Sequence, residues 1–314
     1  MANFTWTFDA PTGTYKQRHL SANIYQAAVA DSLFAEHASP VGNYGKHKGE
    51  QATLKRVKAL TEPTSPVLTE GIRISEDSLT INTRTMTVQE IGRAVPYTSL
   101  AEDLGDIDPE NVIQKELRRQ MKLSLDTLSA TAFKEGQIKY IPTGVASRTI
   151  NTDGTTAAAA VTLNTWHLEE IRDYLATTLF APKIGDSYLG IFAQKSCRGI
   201  KRDPAWEEWH KYTDPSAKWN NEIGRWEDIR IMECNHTNAL SNTKGTGSVL
   251  GEGVVFGDNA VVLAEAVTPE LRAGIPADFG RLKSVAWYGV LVFRQVWGDS
   301  GNAGEANVVH VTSS

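Results

Sequence analysis

The chain has 314 residues, 41% of them hydrophobic and 22% charged, proportions ordinary for a folded protein with one large domain or two smaller ones. Its formal charge of -5 excludes a global attraction to nucleic acid or to an anionic membrane, so any such contact needs a local patch. No apolar run reaches the ~18 residues of a membrane-spanning helix, and the N-terminus lacks a basic region followed by an apolar core, so neither a transmembrane segment nor a signal peptide is expected.

Residues 1–48 read as an extended arm, with Pro11, Gly13, Pro40, Gly42 and Gly45 at intervals and one short helical pattern from His19 to Phe34. From Gly49 the pattern becomes strand-like. Ala52–Lys58 and the β-branched run Leu79–Val88 are placed to pair as a long hairpin with residues 59–76 as its far loop. Both faces of the second strand are largely polar, so the hairpin is expected to project from the core and to need another chain to cover its edges. Lys46, His47, Lys48, Lys55, Arg56 and Lys58 form the most basic patch. It reads either as a phosphate contact or as a solvated, salt-bridged face. The second reading is preferred because no aromatic residues interleave it for base stacking.

The clearest helix starts at Asp108. Asp108 suits the N-cap, Pro109 the first helical position and Glu110 the positive end of the helix dipole. Ile113, Leu117, Met121, Leu125, Leu128 and Ala132 form its apolar stripe, and Gly136 is the expected stop. At 1.5 Å per residue the helix would be roughly 40 Å long. Lys115, Arg118, Arg119 and Lys122 lie beside the stripe. Residues 143–163 read as a surface hairpin or loop. Asn164 then caps a second helix that buries Leu168, Ile171, Leu175 and Leu179.

Asp186–His236 holds Trp206, Trp209, Trp219 and Trp226, half of the eight tryptophans. Tyr188–Phe192 and Glu227–Met232 are strand candidates that flank two short helices, Gln194–Arg202 and Ala205–Tyr212. The tryptophans are expected to pack those helices onto sheet, with Trp206 and Trp226 buried and no cleft between them wide enough for a sugar. Gly251–Gly257 evokes a nucleotide-binding loop, but a strand-like run follows it in place of a helix, and no GK[ST] follows. Val285–Val296 and Asn307–Thr312 are expected to pair as the closing strands.

Chemistry-bearing patterns are sparse. The seven histidines are scattered without HExxH or HxH spacing, and there is no GxSxG elbow. Cys197 and Cys234 read as free thiols in a reducing compartment. Glu207, Glu208 and His210 beside Trp206 and Trp209 are the one constellation that suggests a glycan-active enzyme. Glutamates on a wet helix face are the commoner explanation. No cofactor or metal is expected.

Four blocks resemble the N-four-like major capsid protein family of tailed phages, which shares the Hong Kong 97-type coat fold. They are GEQATLKRV with PVLTEGIRISEDSLTINTRTMTVQEIGRAVPYT (Gly49–Val57 and Pro66–Thr98), the helix from Asp108, YLGIF with KRDPAW and NNEIGRWEDIRIMEC, and VVFGDNAVV (Val254–Val262). Asn221-Glu222-Ile223-Gly224 departs at its first residue from the family's Gly-Glu-Ile-Gly-like turn. The resemblance implies an α+β fold with an N-terminal arm (1–48), an extended loop (49–98), a peripheral domain on a long spine helix (99–164 with 263–314) and an axial domain (165–262). It implies a non-enzymatic coat subunit that self-assembles into hexamers and pentamers around double-stranded DNA. The subunit would reside in the virion after assembly in the host cytoplasm. Portal, decoration or scaffolding proteins would be its partners, and no membrane. On that resemblance Lys55, Arg56, Arg84 and Glu90 of the hairpin, with Arg118, Arg119 and Lys122 of the spine helix, are the expected subunit-interface residues. A soluble glycan-active enzyme and a virion carbohydrate-binding module are the alternatives.

Overall fold

In the computed structural model, residues 30–42, 44–104, 108–210 and 222–314 are described. The expected helix within His19–Phe34, Trp219, and the first residue of the 221–224 turn therefore lie wholly or mostly outside the described residues. The strands and helices run in the order β1 (Ser39–Pro40), β2 (Gln51–Val57), β3 (Ile81–Thr87), β4 (Gln89–Thr98), α1 (Ser99–Leu104), α2 (Pro109–Lys134), β5 (Lys139–Gly144), β6 (Ser147–Asn151) and α3 (Thr165–Asp173). They continue as β7 (Tyr188–Ala193), α4 (Gln194–Lys201), α5 (Pro204–His210), β8 (Glu222–Trp226), β9 (Ile229–Cys234), β10 (Gly253–Phe256), β11 (Val261–Ala273), β12 (Leu282–Gln295) and β13 (Val308–Val311).

Helix α2 begins where local chemistry dictates. The Asp108 carboxylate accepts from the Glu110 amide at 3.0 Å, and Pro109 occupies the first turn. Ile113, Leu117 and Met121 pack against Val285 and Trp287 of β12. Further along, the buried side drifts around the helix, because 3.6 residues per turn does not hold a strict stripe of threes and fours. Ala130 and Phe133 turn inward with Asp126 and Ser129, while Leu128 is 39% exposed, contrary to its place in the expected stripe. Gly136 follows the helix for a packing reason. A Cβ there would lie 2.6 Å from the Gln295 side-chain oxygen.

The core is a seven-stranded sheet in the order β6-β5-β13-β10-β7-β9-β8. Its central strands are buried on both faces, which explains their continuous apolar runs. Alternation sorts the side chains by face. Tyr188, Phe192, Val255 and Val309 join Leu168 and Ile171 of α3, Cys197 and Ile200 of α4, and Trp206. Leu189, Ile191, Val254, Phe256 and Val308 join Phe34 and the Ala130–Phe133 end of α2. Gly253 belongs to this packing too, since a Cβ there would meet the Phe192 ring at 2.1 Å. The glycine-rich 251–257 stretch thus serves the sheet.

A second sheet, β1-β11-β12-β4, lies against α2, and β2-β3 forms a separate hairpin. Two expectations change here. The closing strands do not pair: β12 lies between β11 and β4, whereas β13 pairs with β10 and β5 in the other sheet. Strand β8 was not anticipated. It folds back on β9 across a turn at Glu227, a non-glycine residue with φ 46°. The sheets also cross the implied domain bounds, because β5, β6 and β13 come from segments assigned to the peripheral domain yet extend the sheet of the 165–262 segment.

Of the three histidines buried among the described residues, His167, His236 and His310, two have pKa values that burial lowers. His167 Nδ1 lies 2.8 Å from the Tyr140 hydroxyl, and burial lowers its pKa to about 4. His310 Nδ1 lies 3.0 Å from Lys139 Nζ, its Nε2 faces Glu252 at 3.5 Å, and burial lowers its pKa to about 4 as well. Both are neutral in the folded chain at pH 7. A histidine whose folded pKa is depressed binds its proton more readily when unfolded, so the stability it contributes is complete above ~6.5 and is lost as pH falls toward 4. Urea unfolding at pH 7 and pH 5 is expected to show a loss of about 2 kcal/mol per histidine. His167→Phe, which keeps a ring in the site, should remove one share of the pH dependence.

Candidate assembly interface

The β2-β3 hairpin pairs in antiparallel register from Gln51 opposite Thr87 to Val57 opposite Ile81. One of its faces is not solvated, contrary to the expectation of two polar faces. Ala52 and Met86 pack on Val262 and Ala264 of β11. Arg56 and Arg84, 3% and 8% exposed, point from the same face into the body of the chain. Arg56 holds Asp299 through both guanidinium nitrogens, at 2.5 and 2.8 Å, and also donates to the Val296 carbonyl at 2.8 Å. Arg84 donates to the Gln295 carbonyl at 2.5 Å and to Glu135 at 3.2 Å, and lies 3.6 Å from Asp299. Such planar, multiply bonded pairs fix orientation as well as charge. The bond from Arg56 holds the Asp299 carboxyl at about 2 despite partial burial. Burial lowers the Arg84 pKa, against the pull of Glu135.

These two arginines were expected at a subunit interface. Within the chain their guanidiniums are already engaged, and they serve as a clamp between hairpin and body. The partners Asp299, Glu135 and the Gln295 carbonyl were not anticipated. The only sequence sign of the clamp is a pair of arginines on one otherwise uncharged face of the hairpin.

Beyond the clamp, residues 59–80 are exposed throughout. Leu60, Val67, Leu68, Ile72, Ile74 and Leu79 are each more than half exposed. So many large apolar side chains exposed on one projecting element mark an interaction site. Strand β4 adds an open edge, since among the described residues it pairs only with β12 and its side chains are mostly exposed.

The remaining expected interface residues are spread over this outer surface. Lys55 is exposed on β2. Glu90, exposed on β4, accepts from the Tyr288 hydroxyl at 3.1 Å. Arg118 and Lys122 are exposed on α2, and Arg119 pairs with Glu116 at 3.2 Å. In the basic patch, Lys58 pairs with Glu305 at 3.6 Å.

The tryptophan region packs as sheet and helix. Trp206 is buried as expected, whereas Trp226 is only partly buried; the two stack with ring centroids 5.9 Å apart, which leaves no room for a sugar between them. The Trp226 indole donates to Glu169 at 3.2 Å. Glu207 and Glu208 are exposed on α5. Both cysteines are buried free thiols whose pKa values burial raises. Among the described residues no group of three or more His, Cys, Asp or Glu could hold a metal ion, and no helix is long and apolar enough to cross a membrane.

No family model and no curated protein matches the chain. Solved structures do match, end to end. The cyanophage Pam1 capsid subunit superposes with a TM-score of 0.75 at 14% identity, covering 100% of this chain and 99% of the other. The capsid of Ralstonia phage GP4 gives 0.68 at 14% identity, covering 99% and 98%. The head of Helicobacter pylori bacteriophage KHP40 gives 0.69 at 12% identity, covering 100% and 99%. At such identities the shared property is the arrangement of the backbone. With its long helix, two sheets and projecting hairpin in this order, the chain has the α+β Hong Kong 97-type coat fold.

Proposed function

We propose that this chain is the major capsid protein of a tailed bacteriophage, a non-catalytic subunit that assembles as hexamers and pentamers into an icosahedral shell around double-stranded DNA. The observation that carries the reading is the hairpin. Its root is clamped to its own body by buried arginines, while its 59–80 loop displays apolar side chains that none of the described residues covers. Holding one end rigid and leaving the other end unsatisfied suits an element that binds an identical neighbour, and closed shells arise by repeating such a contact around symmetry axes. The full-length likeness to phage capsid subunits supports the same reading.

In this reading Lys55, Glu90, Arg118, Arg119 and Lys122 lie at subunit contacts, and Arg56 and Arg84 act on those contacts by fixing the hairpin's direction. Self-association is the principal partnership. Portal, scaffolding or decoration proteins and non-specific charge contact with packaged DNA follow from the role, as does residence in the virion after assembly in the host cytoplasm. The division into arm, extended loop, peripheral and axial domains belongs to the same reading.

The test replaces residues 59–80 with a short Gly-Asn turn that keeps the hairpin paired. Analytical ultracentrifugation is expected to show large assemblies for the unaltered chain and slow-sedimenting species for the shortened one, with unchanged circular dichroism. Equal assembly by both chains would remove the hairpin from the account.

A further inference from the structure

A slot of about 470 Å³ lies between the root of the hairpin, α2 and β12. Its apolar lining includes Met86, Ile91, Leu128, Leu291, Val292 and Phe293, beside threonines and the Glu135–Arg294 ion pair. One wall is an unfinished sheet edge. The β4–β12 ladder stops at Leu291 opposite Gln89, whereas the β11–β12 ladder runs on to Gln295 opposite Val261. Val292–Arg294 therefore have a strand on one side and the slot on the other. The outer edge of β3 on the opposite wall is unpaired among the described residues as well. A floor of apolar side chains between two open strand edges fits an extended segment that carries large apolar side chains at every second position.

The chain itself contains such a segment. Asn3-Phe4-Thr5-Trp6-Thr7-Phe8 alternates strictly, with three aromatics on one face and Asn and Thr on the other, and its residue types favour strand. No other stretch combines that alternation with three aromatic rings. The segment is also tethered close by. The chain enters the described region beside α2, where Leu33 and Phe34 donate their amides to Asp126 at 2.8 and 2.7 Å, and Leu128 stands two residues along, about 200° around that helix on its other side. The 22 residues from Asp9 to Ala30 can span up to about 70 Å, whereas crossing α2 requires only ~10–12 Å.

We propose that Asn3–Phe8 docks in the slot of its own chain as an added strand, with Phe4, Trp6 and Phe8 against the apolar floor and the backbone paired to the free edge at Val292–Arg294. The arm then covers the junction between the hairpin and the spine helix. This proposal stands apart from the capsid reading, since it concerns one chain and not the shell.

The test places the photo-crosslinker p-benzoylphenylalanine at Leu128 in the full-length chain, in an equal mixture of nitrogen-15-labelled and unlabelled protein. Illumination is expected to join position 128 to the tryptic peptide Met1–Lys16, with both peptides of one isotope. The F4S/W6S/F8S variant should lower the yield of that adduct at least about tenfold, equivalent to ~1.4 kcal/mol of docking, with an unchanged unfolding midpoint for the rest of the chain. Three results overturn the proposal: mixed-isotope adducts, which place a neighbour's arm in the slot; adducts to the 59–80 loop; or an adduct yield indifferent to the three aromatics.

Discussion

Asp126→Ala is expected to destabilise the chain by ~3–5 kcal/mol, the range for removing one partner of a buried charged cluster. The carboxylate is fully buried on α2 and accepts from the Leu33 and Phe34 amides, from the Ser32 hydroxyl at 3.3 Å and from His236 Nδ1 at 2.9 Å. Its loss strands two backbone donors in the core, and each unsatisfied buried donor costs about 1–3 kcal/mol. The same residues seat Phe34 against Phe133, so the arm's entry point should loosen with them. Urea denaturation gives the stability, and hydrogen exchange at Leu33 and Phe34 gives the locality. Asp126→Asn keeps an acceptor and is expected to cost less, which separates lost hydrogen bonding from lost volume.

Asp299→Ala is expected to release the hairpin with a cost of ~2–3 kcal/mol, the scale of hydrogen bonds to charged groups. Asp299 is about one-third exposed, so water offsets part of the loss. Arg56 and Arg84 remain buried after the change, with the Val296 and Gln295 carbonyls as inadequate substitutes for the carboxylate. Hydrogen exchange should accelerate across 51–57 and 81–87, while β7 and β10 stay protected. Acid should mimic the substitution. Because the folded pKa of Asp299 is depressed to about 2, the stability it contributes is present above its unfolded value of 3.8 and is lost as pH falls through about 2. Exchange that rises uniformly through the sheets would show that the clamp holds the whole fold and not the hairpin alone.

What could be read beforehand was local. The Asp108 cap, the helix it starts, the Asn164 cap with its acceptance from the His167 amide, and the buried strand at Tyr188–Phe192 all depend on residues close in sequence. The hairpin pairing was legible for the same reason, since its two strands face each other across a single loop. Strand partners across the molecule were not. β13 reads as a closing strand, but nothing in Val308–Val311 says that it inserts between β10 and β5. The clamp was illegible because Arg56 meets Asp299 across 243 residues of sequence. An arginine in a strand looks solvent-facing until the chain supplies its carboxylate. Asp126 was hidden for a related reason. A lone aspartate in an otherwise charged helix reads as wet, and only the arm folded back over it shows it to be an anchor.

The proposed shell rests on a hairpin that is anchored to its own subunit and presents residues 59–80 to an identical neighbour. Cryo-electron microscopy of particles assembled from the purified chain tests it most directly. The expected result is closed icosahedral particles in which the 59–80 loop is buried against an adjacent subunit while Arg56 and Arg84 still hold Asp299 of their own chain. Uniform monomers under every assembly condition, or shells in which that loop touches no neighbour, would contradict it.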